Sequence, residues 1–310
     1  MKRTQLLYAL PLLLLSCGAP AENPQTAEPE TTAERPNWSH NYSLSFDIPY
    51  GEDPAQRLDV YSQGHRVGEP DWWTPDTEAH PTLIYIHGGG WVGGAKESQV
   101  PDLIPYLERG WNVVNVEYRL GENTAPAAVE DAMCAIAWVA DHASEFNIDP
   151  QRIVVTGSSA GGHLALITGI LNKIPGSHCY AGDRLNVAAI INWYGITDIK
   201  RVEEYLRTYK PEWNYAGAWL TDGVQTDSVS RMYSPLERVT AEAPPILTLH
   251  GELDSVVPYN QAVLLHEKLE YLGLQHKLVS DPEGNHGGFS DAQYQHMYDE
   301  IFDFLDAHLK

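Results

Sequence analysis

The sequence has few cysteines, few positive charges and no apolar run long enough to cross a membrane. Its 310 residues include 3 Cys, and 20 Lys and Arg stand against 42 Asp and Glu, for a formal net charge of −22. This acidic balance disfavours nucleic acids and anionic lipid surfaces as partners. The apolar run from Leu6 to Leu15 is too short to span a bilayer. Nucleic-acid binding is therefore excluded as a leading function class.

The first residues have the pattern of an export signal. Lys2 and Arg3 precede the apolar run, and Leu14-Leu15-Ser16-Cys17 follows at its end. This tetrapeptide resembles the lipobox of bacterial lipoproteins, which predicts a signal peptide over residues 1–17 and lipidation of Cys17. The expected location is then outside the cytoplasm, at a bacterial membrane (periplasm or cell surface). The alternative is a secreted protein that loses Cys17 with its signal.

Residues 18–36 contain no Val, Ile, Leu or aromatic residue. Such a segment cannot bury enough apolar surface to offset the entropy of ordering. It is predicted to be a flexible linker, so that the membrane would be contacted through the lipid alone. From residue 37 to residue 310 the composition is that of a globular domain, and the length suits one α/β domain.

Two cysteines remain besides Cys17, at Cys134 and Cys179. An exported protein can join such a pair because its compartment permits disulfides. Cys134 lies in the apolar stretch AVEDAMCAIAWVADH, where a buried free thiol is equally reasonable. Their spacing alone leaves both alternatives open.

Short stretches rich in Val, Ile and Leu alternate with helix-length segments along most of the chain. SLSFDIPY and QRLDVYSQ alternate apolar and polar residues, as half-buried antiparallel strands do. Later strands are mostly apolar and are predicted to be covered on both faces, at residues 82–87, 112–118, 152–157, 187–195, 245–251 and 276–281. Helices are predicted at residues 97–109, 126–146, 161–173, 259–273 and 291–309. The alternation predicts an α/β fold with a mostly parallel sheet.

Residues 199–240 interrupt this alternation. They contain several aromatic residues and no clear strand, and we interpret them as an insertion that covers one end of the sheet, over the active site. Ligands of open parallel sheets bind beyond the carboxyl ends of the strands. Functional residues are therefore expected directly after each apolar stretch.

One such stretch, RIVVTG, leads into Gly157-Ser158-Ser159-Ala160-Gly161. This pentapeptide fits G-x-S-x-G, a sharp turn between a strand and a helix that exposes the central serine, Ser159. Small neighbours are required because larger side chains would collide across the turn. The N–H of Ala160 is expected at the N-terminus of the following helix, where the helix dipole favours an oxyanion.

A serine nucleophile needs a base, and the base needs a third group that orients it. LTLHGELDSVVP places Asp254 just after a strand, and SDPEGNHGGF places His286 in a glycine-rich loop after the last strand. The order Ser, acid, His is that of G-x-S-x-G hydrolases. We therefore predict Ser159 as nucleophile, His286 as base and Asp254 as acid, with Glu252 as the alternative acid.

TLIYIHGGGW ends another strand with His87-Gly88-Gly89-Gly90, the oxyanion-hole motif of lipases and esterases. His87 is expected to hold the loop in place. The segment from Gly88 to Gly93 also satisfies the dinucleotide-binding pattern G-x-G-x-x-G, with Glu117 where a ribose-binding acid would stand. The bulky Trp91 inside that turn argues against nucleotide binding.

Taken together, these residues resemble the α/β-hydrolases, specifically the HGGG esterases of the hormone-sensitive-lipase type and the bacterial bifunctional acetylxylan and feruloyl esterases. The similar stretches, PTLIYIHGGGWVGG, IVVTGSSAGGHLAL, YGITD and GNHGGF among them, extend over most of residues 57–289. The resemblance implies that Gly89, Gly90 and Ala160 form an oxyanion hole.

The expected function is that of a serine carboxylesterase acting on short-chain or carbohydrate-linked acetyl or feruloyl esters, with no metal or organic cofactor. Four tryptophans are candidates for stacking on sugar rings: Trp72, Trp73, Trp213 and Trp219. An amidase, formamidase or peptidase using the same three residues is one alternative. A catalytically silent binding module at the surface is the alternative from another class.

Overall fold

A computed structural model of the chain describes residues 42–63, 78–172, 179–220 and 223–309. The expected signal peptide, the lipidation site at Cys17, the linker over 18–36 and the first residues of the predicted domain lie outside these ranges. So do Trp72 and Trp73. The described residues all belong to one compact unit, Pro36–Lys310.

Eight strands form a single sheet in the order β1-β2-β4-β3-β5-β6-β7-β8. Their bounds are β1 Tyr42–Pro49, β2 Arg57–Gln63, β3 His80–Ile86, β4 Asn112–Val116, β5 Ile148–Ser158, β6 Val187–Trp193, β7 Ile246–Gly251 and β8 His276–Asp281. Pairing is antiparallel between β1 and β2 and between β2 and β4, and it is parallel across the rest of the sheet. The carboxyl ends of β3, β5, β6, β7 and β8 consequently meet at one edge.

Helices cover both faces of this sheet. Their bounds are α1 Val100–Leu107, α2 Ala127–His142, α3 Ala160–Leu171, α4 Ile199–Tyr209, α5 Tyr215–Trp219, α6 Gly223–Tyr233, α7 Pro235–Arg238, α8 Asn260–Tyr271 and α9 Asp291–His308. One apolar cluster joins the sheet to α2, α3 and α8, and the other joins it to α1 and α9. The predicted α/β fold with a mostly parallel, doubly covered sheet is confirmed.

Strand β3 shows why apolar residues run without interruption in the central strands. Ile84 and Ile86 pack into one cluster, whereas Leu83 and Tyr85 pack into the other. Successive side chains of a strand point to opposite faces, so a strand covered on both sides is mostly apolar along its length.

The edge strand β1 was predicted correctly as a strand, but its burial is the reverse of its polarity. Ser43 and Ser45 are buried, while Leu44 and Phe46 are half exposed. Ser45 pairs with Val60 and so shares its face, and Leu44 pairs with Tyr61 on the other face. Because β1 lies at the edge of the sheet, its apolar side chains extend beyond the covered area. The expectation that β2 is half buried was also wrong, since its five inner residues are all buried.

The described residues of the predicted insertion over 199–240 form the helices α4 to α7 and no strand. Asp198 precedes helix α4, and its side chain accepts a hydrogen bond from the Arg201 amide. This N-cap satisfies one of the free amides at the start of the helix.

Cys134 in α2 and Cys179 form a disulfide, with their Cα atoms 4.7 Å apart. From the sequence, a disulfide and a buried free thiol at Cys134 were both possible. The structure shows the disulfide. Within the described ranges, we find no helix with the length and apolar character that a bilayer crossing requires.

Candidate active site

Ser159 occupies the turn between β5 and α3. Its backbone has φ 57° and ψ −120°, a region that non-glycine residues rarely adopt and that is found at functional turns. The strand ends at Ser158 and the helix begins at Ala160. This is the strained strand-to-helix turn that the pentapeptide predicts.

The two outer glycines of the pentapeptide are required because the turn lies against the neighbouring strand. A Cβ atom on Gly157 would be 2.4 Å from the Ile86 carbonyl oxygen, and one on Gly161 would be 2.0 Å from it. Neither separation is tolerated between heavy atoms. These two positions around Ser159 therefore admit only glycine.

The structure brings Ser159, His286 and Asp254 together. Nε2 of His286 lies 2.9 Å from Oγ of Ser159, and Nδ1 lies 2.7 Å from Oδ2 of Asp254. The other carboxylate oxygen of Asp254 accepts hydrogen bonds from the Val256 and Val257 amides at 2.8 and 2.9 Å. The alternative acid, Glu252, instead accepts a hydrogen bond from the Ser280 hydroxyl.

Asp254 is held in its ionised form. Burial opposes its ionisation, but hydrogen bonds with His250 and His286 outweigh that effect and keep the pKa of the carboxyl well below its usual range. Nε2 of His250 lies 3.3 Å from Oδ2 of Asp254 and 2.9 Å from the Val257 carbonyl oxygen. Because both neighbours are acceptors, this nitrogen carries the proton.

The loop after β3 lies directly against Ser159. A Cβ on Gly88 would be 2.7 Å from the Ser158 carbonyl oxygen and 3.4 Å from Cβ of Ser159. Gly89 and Gly90 follow with φ of 121° and 63°, conformations that glycine adopts without penalty. Close to them, Ala160 opens α3, where the first amides of a helix have no partner within it.

His87 holds this loop in place, as expected from the sequence. Its Nδ1 lies 2.7 Å from the Gly88 carbonyl oxygen, and its Nε2 lies 2.9 Å from Oε1 of Glu117. The ring of Tyr118 stacks on it with a centroid distance of 4.4 Å. The other oxygen of Glu117 accepts a hydrogen bond from the Lys96 amide. Both carboxylate oxygens of Glu117 are thus hydrogen-bonded within this loop region. They are not available to bind a ribose, as the nucleotide-binding alternative requires.

The insertion packs onto both loops of the site. A Cβ added to Gly90 would lie 2.8 Å from Cβ of Tyr215 in α5. The hydroxyl of Tyr215 donates a hydrogen bond to the Val256 carbonyl oxygen at 3.3 Å. Tyr215 thereby links the glycine-rich loop to the loop that carries Asp254. Sequence reasoning missed this residue, although the aromatic character of the insertion was a signal for it.

The tryptophans of the insertion have opposite environments. Trp213 is 73% exposed, whereas Trp219 is fully buried and stacks on Trp91 with a centroid distance of 4.4 Å. The expectation that Trp219 could stack on a ligand was therefore wrong, because α5 directs it into the core beneath the glycine-rich loop. In the parts of the chain that the structure describes, no group of three or more His, Cys, Asp or Glu side chains could hold a metal ion.

The doubly covered sheet, the strained serine turn and the hydrogen-bonded Ser159, His286 and Asp254 define the chain as an α/β-hydrolase. The BD-FAE family profile matches residues 71–269. Since this is more than half of the sequence, the chain belongs to the BD-FAE family.

Among curated proteins, the chain is similar to a probable carboxylic ester hydrolase, LipM, of Mycobacterium tuberculosis. The two are 32% identical over 231 residues, which cover 72% of this chain and 51% of the relative. Esterase LipC of the same organism is also 32% identical, over 72% of this chain and 54% of the relative. The chain thus spans about half the length of the curated relatives it matches.

A truncated carbohydrate esterase from gut microbiota is similar in structure, with a TM-score of 0.66 and 24% identity over 86% of this chain and 98% of that one. At that identity the likeness concerns the fold. It agrees with the α/β-hydrolase architecture described above.

Proposed function

We propose that this chain hydrolyses carboxylic esters through an acyl-enzyme formed on Ser159. The observation that carries the proposal is the pair of hydrogen bonds that His286 makes, 2.9 Å to the Ser159 hydroxyl and 2.7 Å to the Asp254 carboxylate. A hydroxyl, an imidazole and a carboxylate in this order are the groups that activate a serine nucleophile. The ester hydrolases named among the curated relatives support the same chemistry.

In the first half of the reaction, the Ser159 oxygen attacks the carbonyl carbon while Nε2 of His286 takes the hydroxyl proton. The tetrahedral intermediate then loses its alkoxide, which receives the same proton from His286. Water attacks the acyl-enzyme in the second half, again with His286 as base, and the carboxylic acid leaves as His286 returns the proton to the Ser159 oxygen. Asp254 stays ionised and stabilises the imidazolium that forms in each half.

The negative charge on the carbonyl oxygen needs aimed donors. We assign this role to the backbone N–H groups of Gly89, Gly90 and Ala160. The close approach of Gly88 to Ser159 supports the assignment because it keeps this loop beside the reacting carbon. The amide of Ala160 adds the favourable end of the α3 dipole.

The test combines a covalent label with turnover. Wild-type protein is treated with a fluorophosphonate, the adduct is mapped by mass spectrometry, and hydrolysis of p-nitrophenyl acetate is measured alongside. We expect the label on Ser159, no label on Ser159→Ala, and a retained label on Ser158→Ala, the matched variant one residue away. Folded wild-type protein that takes no label, or Ser159→Ala with wild-type turnover, would contradict the proposal.

We further propose that the alcohol part of the substrate is a carbohydrate that stacks on Trp213. This indole is 73% exposed and lies beside a shallow depression of about 490 Å³ lined by Glu212, Asn214 and Tyr215 among others. Tyr215 joins this surface to Gly90 of the glycine-rich loop. A flat aromatic face flanked by polar side chains suits a sugar ring, which presents both C–H groups and hydroxyls.

Trp213→Ala is expected to lower kcat/KM for acetylated xylan oligosaccharides about 3- to 10-fold, the value of one aromatic contact. Hydrolysis of p-nitrophenyl acetate should be unchanged because it has no sugar. The control is Tyr271→Ala, another exposed aromatic (88% exposed) at the far end of α8. Equal losses on both substrates would count against a sugar contact.

We also propose that the chain is exported and anchored to a membrane through lipid on Cys17. The support is the sequence Leu14-Leu15-Ser16-Cys17 after an apolar run. Labelling cells with an alkyne fatty acid should mark the wild type but not Cys17→Ser, and Ser16→Ala should still be marked. Absence of lipid from wild-type protein in the membrane fraction would contradict this proposal.

A further inference from the structure

Tyr194 lies directly beside the imidazole of His286. The centroids of the two rings are 4.7 Å apart and their planes are inclined by 60°. The phenol extends along the turn that carries His286, because a Cβ on Gly287 would be 3.2 Å from the Tyr194 hydroxyl oxygen. One side of the imidazole is therefore covered by the Tyr194 side chain.

The backbone fixes where this ring stands. Tyr194 follows β6 and has φ 40°, which a bulky residue adopts only when its surroundings enforce it. Its amide donates to the Leu249 carbonyl at 2.8 Å, and the preceding carbonyl, of Trp193, accepts from the Ser159 amide at 2.9 Å. The same short segment thus contacts the strand before Asp254 and the nucleophile itself.

The hydroxyl end of the phenol also has a buried polar neighbour, Ser158. The Ser158 hydroxyl interacts with the phenols of both Tyr85 and Tyr194. Tyr85 in turn donates to Oδ2 of Asp102 at 3.0 Å. Ser158 is the variable position of G-x-S-x-G, and here it connects the serine turn to the residue beside the base.

Two further rings lie near Tyr194, and one of them, His250, also contacts Asp254. The ring of His250 lies 6.5 Å away and that of Phe289 lies 6.2 Å away. Burial raises the pKa of Tyr194 above its usual value, so the phenol is neutral at neutral pH. In this form the ring can restrict the orientation of its neighbours by contact.

From this geometry we infer that Tyr194 is a positioning residue that keeps Nε2 of His286 on Ser159 and Nδ1 on Asp254. The inference rests on the proposed function, since it concerns the base of that reaction. The hydrogen bonds of His286 fix its ring only in part, and contact with one face restricts its rotation further. Misplacement of a base by about 1 Å costs on the order of 100-fold in rate. The rigid phenol restricts this rotation.

The experiment measures turnover and the orientation of the imidazole separately. Tyr194→Leu removes the planar face and is expected to lower kcat for p-nitrophenyl acetate about 10- to 100-fold, with KM changed less than about 2-fold. Tyr194→Phe restores the ring and should recover most of the loss. The downfield proton resonance of the His286 Nδ1–H bond should shift or broaden in Tyr194→Leu and stay sharp in Tyr194→Phe.

Tyr106→Phe is the matched control, because it removes the hydroxyl of a buried phenol that lies among Trp111, Tyr298 and Phe302, away from the site. If Tyr194→Leu does not fold, Tyr194→Met replaces it, since methionine fills irregular space without a planar face. Folded Tyr194→Leu or Tyr194→Met with wild-type kcat and an unchanged resonance would overturn the inference. Wild-type protein without turnover or label would defeat the proposed function instead, and the resonance would still test Tyr194.

Discussion

The carboxylate of Asp254 faces Nδ1 of His286 with one oxygen, at 2.7 Å, and two backbone amides with the other. Because both of its oxygens are bound, the Asp254 carboxylate cannot rotate without losing several hydrogen bonds. The same arrangement also assigns the proton on His286: Nδ1 donates to the carboxylate, which leaves Nε2 free to accept from Ser159.

Asp254→Asn should lower kcat by about 10³- to 10⁴-fold, while the protein stays folded. An amide in this place can donate to Nδ1, which favours the tautomer whose Nε2 carries the proton and cannot act as a base. Steady-state hydrolysis of p-nitrophenyl acetate measures the effect. Glu252→Gln is the matched control, because that carboxylate contacts Ser280 and should leave kcat within about 2-fold.

Gly90→Ala should impair both stability and activity. Its φ of 63° is unfavourable for alanine by about 1 kcal/mol, and the new methyl would lie 2.8 Å from the Tyr215 side chain. Overpacking of that kind adds about 1–3 kcal/mol, and displacement of an oxyanion donor costs on the order of 100-fold in kcat. Urea unfolding and ester hydrolysis measure the two effects.

Gly273→Ala distinguishes the cost of backbone strain at positive φ from the cost of steric overlap with a neighbouring side chain. Gly273 has a similar φ of 70°, but nothing lies within 4 Å of the point where an alanine methyl would stand. It should lose only about 1 kcal/mol of unfolding free energy and no activity. A Gly90→Ala protein as stable and active as Gly273→Ala would show that the contact with Tyr215 is unimportant.

The strand ends and the meeting of Ser159, Asp254 and His286 were predictable because each depends on a local pattern. Gly157 and Gly161 mark a turn that only glycine permits, and Asp254 and His286 follow apolar strands whose carboxyl ends must share one edge. No knowledge of tertiary contacts was needed for these positions. The fold class follows from the same alternation of strands and helices.

The positions of the residues that surround Ser159, His286 and Asp254 depend on contacts between distant segments. Local sequence patterns therefore could not predict them. Trp213 and Trp219 stand in one aromatic segment, yet the short helix α5 buries only the second. Tyr194 acquires its place from the backbone of two neighbouring strands. The exposed Leu44 of β1 likewise reflects the position of that strand at the edge, which alternation alone does not specify.

The disulfide between Cys134 and Cys179 should contribute substantially to stability. It closes a loop with a sequence separation of 45 residues, for which the chain-entropy relation gives about 4 kcal/mol. Cys134→Ala/Cys179→Ala should lower the unfolding free energy by about 2–5 kcal/mol in urea titrations. Reductant should destabilise the wild type by a similar amount and leave the double variant unchanged. Equal stability of oxidised and reduced wild type would contradict a structural bridge.

His163, beneath the glycine-rich loop, should make stability fall as the solution is acidified. It is fully buried, accepts from the Trp91 indole through Nδ1 at 3.2 Å and donates to the Tyr233 carbonyl through Nε2 at 2.9 Å. Burial lowers its pKa from 6.5 to about 4. Between these pH values the unfolded chain binds a proton that the folded protein excludes. The unfolding free energy therefore increases as the pH rises through this window and decreases as the pH falls through it.

The loss attributable to His163 amounts to about 3 kcal/mol between pH 6.5 and pH 4. Glutamine can also accept from the indole and donate to the carbonyl, but it does not titrate, so His163→Gln should flatten the dependence by that amount in urea titrations across the range. His266, whose pKa burial lowers to about 3, contributes equally to both proteins and cancels from the difference. His296→Gln, at a side chain 65% exposed on α9, should keep the wild-type slope, and an unchanged slope in His163→Gln would mean that the buried imidazole accepts a proton without penalty.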